Sequence, residues 1–364
     1  MLLKSEVGEN SDFTSYAQEN NINFKKQEVE IGYDQLNYTE VLRELLPPDV
    51  EVPGGFEAIG EIAHMNLWAN QLPFKYEIGQ AVLDKNPTMK TVVTKIGHIN
   101  STYRFYDLQC IGGAMDYETT VVEDKVRLRV DVSKMYWCSK LATERTRLIQ
   151  EYLKDGQVLC DMFCGVGPLA VKAAVKRTKL KVLANDLNPE GVEYLKKNIK
   201  LNKVGNRVLP FNMDAREFVK MLVDTKIDTE EKRAIPKEFL RFDHCFMNLP
   251  MDAVEFLDAF IGLYNNCDPE VWKVDGKAQL PLIHVYGFTQ EAEKPKAKTF
   301  FAKRIAQAMQ YPEFKEEDII CFHDIRDVSA ISHMYSTTFR LPEAVAFADP
   351  KLKGEDATKR QKTE

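Results

Sequence analysis

Apolar residues recur at helical spacing in some stretches and alternate in others, and the change between the two rhythms divides the chain. Up to about Asp34 the residues are polar with weak periodicity, which predicts a flexible N-terminal arm over residues 1–34. The spacing then predicts a short helix over Tyr38–Leu46, stopped by Pro47-Pro48, and a second over Pro73–Asn86. Ala58–Ala63 and Thr91–Ile96 read as strands, and the alternation from Asp116 to Val132 predicts paired strands around a turn at Glu123-Asp124. Residues 35–132 are thus expected to form a small mixed α/β domain.

From Leu141 the rhythm becomes strand alternating with helix. Helices are predicted over Glu144–Leu153, Gly167–Lys176 and Pro189–Leu201, the last with Asn188 as cap and Pro189 in its first turn. Strands are predicted over Val158–Cys160, Lys181–Ala184, Arg207–Phe211 and Phe242–Met247. This order implies a doubly wound, Rossmann-like parallel sheet over residues 133–348. The charged stretch Asp224–Lys237 reads as an exposed insertion, and residues 349–364 as a disordered tail.

The stretch Asp161-Met162-Phe163-Cys164-Gly165-Val166-Gly167-Pro168-Leu169-Ala170 is strand, tight turn and helix. Gly165 and Gly167 allow a ligand close to the backbone, and Ala170 allows tight helix–strand packing. The spacing also fits a nicotinamide dinucleotide, with Asp186 placed to meet a ribose hydroxyl. Two carboxylates favour S-adenosylmethionine instead. Asp161 suits the cationic amino end of that cofactor and would repel a pyrophosphate. Asp214, in Asn212-Met213-Asp214-Ala215-Arg216, follows the third strand, where it can accept from an adenine amino group or cap a helix. The fourth strand ends in Asn248-Leu249-Pro250, which resembles the amino-methyltransferase motif of an aspartate or asparagine followed by prolines. An amide there can hold a planar ring nitrogen by hydrogen bonds.

Taken together, these segments resemble the archaeal and eukaryotic tRNA (guanine-37-N1)-methyltransferase family. The carriers are Tyr136-Trp137-Cys138-Ser139-Lys140-Leu141-Ala142-Thr143-Glu144-Arg145, Asp161 to Ala170, Asp186-Leu187-Asn188, Asp214-Ala215-Arg216, Asn248-Leu249-Pro250 and Phe339-Arg340-Leu341-Pro342, spread over roughly residues 55 to 345. The resemblance implies methyl transfer from S-adenosylmethionine to N1 of guanine 37 in tRNA. It implies Glu144 as general base and Arg104 as the group that stabilises the base carbonyl oxygen, with Asn248 also in the catalytic centre. Arg145, Asp161, Phe163, Gly165, Asp186, Leu187, Asp214, Ala215 and Asn248 would hold the cofactor, and Tyr136, Lys140 and Pro250 the substrate. The chemistry needs such groups: N1 of guanine carries a proton at neutral pH, and negative charge grows on the carbonyl as that proton leaves. The base must also leave its stack, where an aromatic side chain can support it.

Two features depart from the family. Lys140 stands where arginine is common and lacks the planar fork. The segment before residue 55 is expected to be too short for the separate tRNA-gripping domain of relatives. Lys294, Lys296, Lys298, Lys303 and Arg304 form a candidate basic patch. The competing readings are a wybutosine-pathway aminocarboxypropyl transferase, a non-catalytic tRNA-binding protein and a NAD-linked oxidoreductase.

Composition changes this picture little. A net charge of −6 asks a nucleic-acid partner to be met by a local patch. Seven cysteines without CxxC spacing suggest a reducing compartment and no metal site. No apolar run reaches a membrane-spanning length, and the N-terminus reads as neither signal nor presequence. A cytoplasmic monomer is expected, with nucleus and mitochondrial matrix open by resemblance.

Overall fold

The computed structural model describes residues 11–23, 31–99, 106–249, 251–329 and 332–349. Arg104 and Pro250 fall outside the described residues, as do most of the tail and much of the N-terminal arm. Within the arm, Ser11–Glu19 forms a helix, α1, that weak periodicity did not predict.

Helix α2 (Tyr38–Leu45) starts at a capping box, in which Asn37 accepts from the Glu40 amide and Glu40 from the Asn37 amide. It buries Val41 and Leu42 against α3 (Lys75–Lys85), forming one small core. That core lies on a four-stranded sheet of β1 (Glu57–Ile59), β2 (Ile62–Met65), β3 (Thr91–Ile99) and β4 (Tyr106–Gly113), paired in that order. The single strand expected over Ala58–Ala63 is therefore a hairpin. Gly60 reverses the chain with φ +56°, and a Cβ there would sit 2.3 Å from Thr119 Oγ1. Only glycine fits such a turn without strain.

Strands β5 (Glu118–Glu123) and β6 (Val126–Asp131) pair around Asp124 and Lys125, which both have positive φ. The apolar face of β6 (Val126, Leu128, Val130) is fully buried. The hairpin is tied to the helix layer of the large sheet. Buried Asn198 accepts from the Arg129 amide at 2.7 Å and donates to the Arg129 and Val166 carbonyls at 3.0 Å.

After α4 (Ala142–Glu151), strands and helices alternate: β7 (Val158–Asp161), α5 (Pro168–Lys176), β8 (Lys181–Asn185), α6 (Pro189–Leu201), β9 (Val208–Phe211), α7 (Ala215–Val223), a short α8 (Glu230–Arg233) and β10 (His244–Met247). A two-residue ribbon, β11 (Lys273–Val274) with β12 (Lys277–Ala278), precedes β13 (Leu282–Gln290), α9 (Ala297–Ala308), β14 (Ile319–Ser329), β15 (Ser332–Arg340) and α10 (Glu343–Ala346). The large sheet runs β14-β15-β13-β10-β7-β8-β9. Five strands from β13 to β9 are parallel, and β15 is antiparallel to both neighbours. The sheet is mixed where an all-parallel one was expected. Its C-terminal third went unpredicted because β15, though buried along its length, is built from Ser, His and Thr as much as from apolar residues.

A polar pair sits inside this sheet. His244 Nδ1 lies 3.1 Å from His284 Nε2, and the outer nitrogens reach Gln157 Oε1 at 3.2 Å and Thr338 Oγ1 at 2.9 Å. Burial pulls His244 down to about 4 and His284 well below its usual range. Unfolded histidine titrates near ~6.5, so below that pH the unfolded chain binds protons that the folded one refuses. The stability held above about pH 6.5 is lost as pH falls toward 4. For His244 alone the loss is about 2 kcal/mol at pH ~5. Urea unfolding of wild type and His244→Asn should show it: the variant loses about 2 kcal/mol less than wild type between pH ~7.5 and ~5. Equal losses in the two proteins would refute the assignment.

Candidate active site

The strand–turn–helix after β7 folds as its glycines require. Gly165 (φ +53°) and Gly167 (φ +84°) are both left-handed, the turn is closed by the Gly167 amide donating to the Cys164 carbonyl at 2.8 Å, and the Cys164 amide ties it to β8 through the Asn185 carbonyl at 2.8 Å. A Cβ on Gly165 would meet nothing within 4 Å, so this backbone faces open space. Asp161, at the end of β7, is 1% exposed, and the Phe163 amide is 3.4 Å from its Oδ1. Burial drives its carboxyl well above the usual range, and the nearby Asp186 adds to this. A carboxylate so poorly supplied with donors suits a cation. Asp186 accepts from the Gly165 amide at 2.7 Å and the Asn188 amide at 2.9 Å, one on each oxygen, leaving further acceptor sites for hydroxyl groups. Asp214 caps α7, accepting from the amides of Arg216 and Glu217, and buried Ala215 begins that helix. The cap is real, and the carboxylate stands exposed beside it.

Glu144 lies in the first turn of α4 and is 5% exposed. Arg147 forks its two oxygens, with Nε donating at 2.7 Å and Nη2 at 2.8 Å. The Tyr286 hydroxyl donates to Oε1 at 2.6 Å, and His323 Nε2 stands 3.5 Å from Oε2. These donors leave Oε2 with an acceptor site to spare. Burial and the Glu144 charge push the Tyr286 phenol well up, which keeps it a donor. Arg147 was within reach of sequence reading, since i and i+3 share a helix face. Tyr286 and His323 arrive from strands far along the chain and left no local signal.

Glu144, Arg145, Asp161, Phe163, Asn248 and Tyr286 line one cavity at the carboxyl edge of β7 and β10. Among the described residues the buried Asn248 Oδ1 atom has no hydrogen-bond partner, an acceptor awaiting a donor. Arg145 lines the cavity but spends its guanidinium elsewhere: it pairs with Glu123 and lies over the Trp137 ring at 5.7 Å. Lys172, 1% exposed, adds to that pair from α5, 2.8 Å from Asp124 and 3.6 Å from Glu123. The β5–β6 turn thereby fixes the two helices that flank the cavity.

Leu187, Asp214, Ala215, Tyr136 and Lys140 are not among the lining residues. Tyr136 and Leu187 are 41% and 49% exposed, and Lys140 is exposed in a single helical turn before α4. Of the candidate basic patch, Arg304 is paired with Glu255 at 2.7 Å and Lys294 lies 3.9 Å from Asp327. Among the described residues no cluster of His, Cys, Asp and Glu could hold a metal.

A glycine turn over a buried acid, on a doubly wound sheet with an antiparallel strand near its edge, defines a Rossmann-like methyltransferase. The sequence model of the TRM5/TYW2 methyltransferase domain matches residues 119–312, and that of the TYW2 N-terminal domain matches residues 38–116. The chain belongs to the TRM5/TYW2 methyltransferase family, and it is an enzyme. It is 40% identical over 335 residues to a tRNA (guanine(37)-N(1))-methyltransferase of Paramecium tetraurelia, covering 91% of this chain and 74% of that one. A protein of the same name from Schizosaccharomyces pombe is 37% identical, over 93% and 80% of the two chains. The crystal structure of Trm5b from Pyrococcus abyssi superposes with a TM-score of 0.63 at 29% identity, over 87% of this chain and 84% of that one. The complex of aTrm5 with tRNALeu shares the fold, with a TM-score of 0.64 at 22% identity over 92% and 86%.

Proposed function

We propose that the chain transfers a methyl group from S-adenosylmethionine to N1 of guanine 37 in tRNA. The observation that carries this reading is the pairing of two acceptors in one cavity, the Glu144 carboxylate and the orphaned Asn248 Oδ1. The Watson–Crick edge of guanine offers two donors side by side, N1–H and the 2-amino group. Adenine, which presents a bare N1, would leave Glu144 without a proton to accept.

In this account the Asp161 carboxylate meets the cationic amino end of the cofactor. Asp186 accepts from its ribose hydroxyls, and Asp214 and Ala215 lie at its adenine. When bound, S-adenosylmethionine supplies an electrophilic methyl carbon on a sulfonium, which departs as a neutral thioether. Glu144 takes the N1 proton as the nitrogen lone pair bonds to that carbon, and Arg147 and Tyr286 hold the carboxylate in place. Asn248 fixes the ring through the 2-amino group. By family resemblance Arg104 meets the charge growing on the carbonyl oxygen. Tyr136, exposed next to the cavity-lining turn, supports the base out of its stack. A monomer suffices for this chemistry, since the proposed groups come from one chain.

One observation favours a second reading, aminocarboxypropyl transfer from the same cofactor: the match of residues 38–116 is to a TYW2 N-terminal domain. The Glu144 base and the Asn248 acceptor favour methyl transfer. The test is incorporation from methyl-labelled S-adenosylmethionine into a tRNA transcript with guanine at position 37. Label is expected with guanine and lost with adenine there. Equal labelling of both would refute the site assignment, and product without label would favour the second reading.

A further inference from the structure

We propose that His323 takes the proton from Glu144 and delivers it to solvent, so that the base works as a carboxylate–imidazole relay. This deepens the proposed methyl transfer to N1 of guanine and rests on it.

The large sheet builds the relay in one row. Tyr286 of β13 lies opposite Ser336 of β15, and Ser336 lies opposite His323 of β14. Residues directly opposite one another share a face of a sheet. His284, Thr338 and Cys321 form the neighbouring row on that face. Helix α4 covers both rows. Tyr152, at its C-terminal end, packs against His284 with ring centroids 4.9 Å apart, and Glu144, in its first turn, accepts from the Tyr286 hydroxyl at 2.6 Å. The two ends of the Tyr286–Ser336–His323 row thus reach the two oxygens of one carboxylate: Tyr286 meets Oε1, and His323 Nε2 stands 3.5 Å from Oε2. Such contacts tighten when substrate is in place.

The side chains on this carboxylate differ in what they can do with a proton. Arg147 holds it by two bonds, but a guanidinium has no site to accept. Tyr286 is 1% exposed, so a proton passed to it has no way out. Neutral imidazole accepts at a ring nitrogen, and the His323 side chain is 40% exposed on the edge strand of the sheet. The Glu144 side chain itself is 4% exposed and has little direct access to water. Beyond Arg147 on α4 lies Glu151, which accepts from it at 2.6 Å, and Tyr152 and Cys321 complete the face. Asp324, next in β14, points to the opposite face. Glu144 is at once the base and the partner of Arg147. Taking a proton weakens that buried ion pair, and passing the proton on restores it.

In the transfer step the sulfonium–methyl and N1–H bonds break as the N1–methyl bond forms, and the proton joins Glu144 Oε2. Within the same step it moves to His323 Nε2, and the imidazolium loses its Nδ1 proton to water. The balance is one methyl gained by the base, one proton released to solvent and Glu144 ionised again.

The test is single-turnover methyl transfer by the full chain, with enzyme in excess over a tRNA transcript carrying guanine 37. His323→Gln keeps a polar side chain without the proton-accepting nitrogen, and should slow transfer by about 10–10²-fold, less than loss of the base itself. S-adenosylmethionine and tRNA affinities should stay within about threefold. In a Glu144→Gln background the same substitution should change the rate by less than about threefold, because the relay has nothing to carry. Added imidazole should restore most of the rate to His323→Ala and none to Glu144→Gln. A His323→Gln rate within about threefold of wild type would overturn the relay. So would an equal loss in both backgrounds, or a loss that imidazole leaves untouched, either of which would mark a structural role. Wild type that puts no methyl on guanine 37 removes the proposed function and the relay together, whereas an active wild type matched by His323→Gln removes the relay alone.

Discussion

Glu144→Gln is expected to slow methyl transfer by about 10²–10⁴-fold, the usual contribution of a positioned general base. The amide keeps the shape of the side chain and can still accept from the Tyr286 hydroxyl, whose bond to Oε1 is 2.6 Å. It cannot take a proton from N1. Arg147 loses its fork but retains Glu151, which accepts from its Nη1 at 2.6 Å, so the helix stays anchored. Cofactor affinity should therefore remain within about threefold, because Glu144 serves the base and not the cofactor in this account. Single-turnover kinetics with enzyme in excess, alongside calorimetric titration of S-adenosylmethionine, would check both halves. A rate within threefold of wild type would remove Glu144 as the base, and loss of cofactor binding would make it a structural acid.

Asp161→Asn should have two opposite effects. In the ligand-free protein the carboxyl is buried and short of donors, and burial raises it well above its usual range. Holding it ionised at neutral pH costs stability, since the folded state would rather bind the proton and its stability falls as pH rises past the unfolded value. The neutral amide removes that cost, so the ligand-free variant should melt at a higher temperature than wild type. The same change removes the only charge proposed to meet the cationic end of the cofactor. Loss of one partner from a buried charge pair costs about 3–5 kcal/mol, or roughly 10²–10⁴-fold in affinity. Thermal melts with and without S-adenosylmethionine read both effects. A variant that melts lower and still binds would mean that Asp161 holds the fold and not the ligand.

What the sequence revealed divides along the distance over which each feature is built. The turn at Gly165 and Gly167, the Asn188 and Asp214 caps and the β5–β6 hairpin are local, and each formed where its residues pointed. The reversal at Gly60 was hidden inside an apolar run that reads as one strand. β15 was missed because its buried Ser336, Thr337 and Thr338 give no apolar alternation. The same cause hid half of the candidate site. Tyr286 holds the carboxylate of Glu144 from 142 residues away. Only packing brings such groups together. The positions of Glu144 and Asn248 were suggested by family resemblance, and the structure adds the physical content: a forked and buried carboxylate and an acceptor without a donor.

The central claim is the identity of the modified atom. The most direct measurement is mass spectrometry of nuclease fragments and nucleosides from a tRNA transcript incubated with the full chain and S-adenosylmethionine. The account predicts one added methyl, on the fragment carrying nucleotide 37, in a nucleoside that co-elutes with 1-methylguanosine. A methyl at another nucleotide, a methylated guanosine that elutes elsewhere, or an aminocarboxypropyl group in place of a methyl would contradict it.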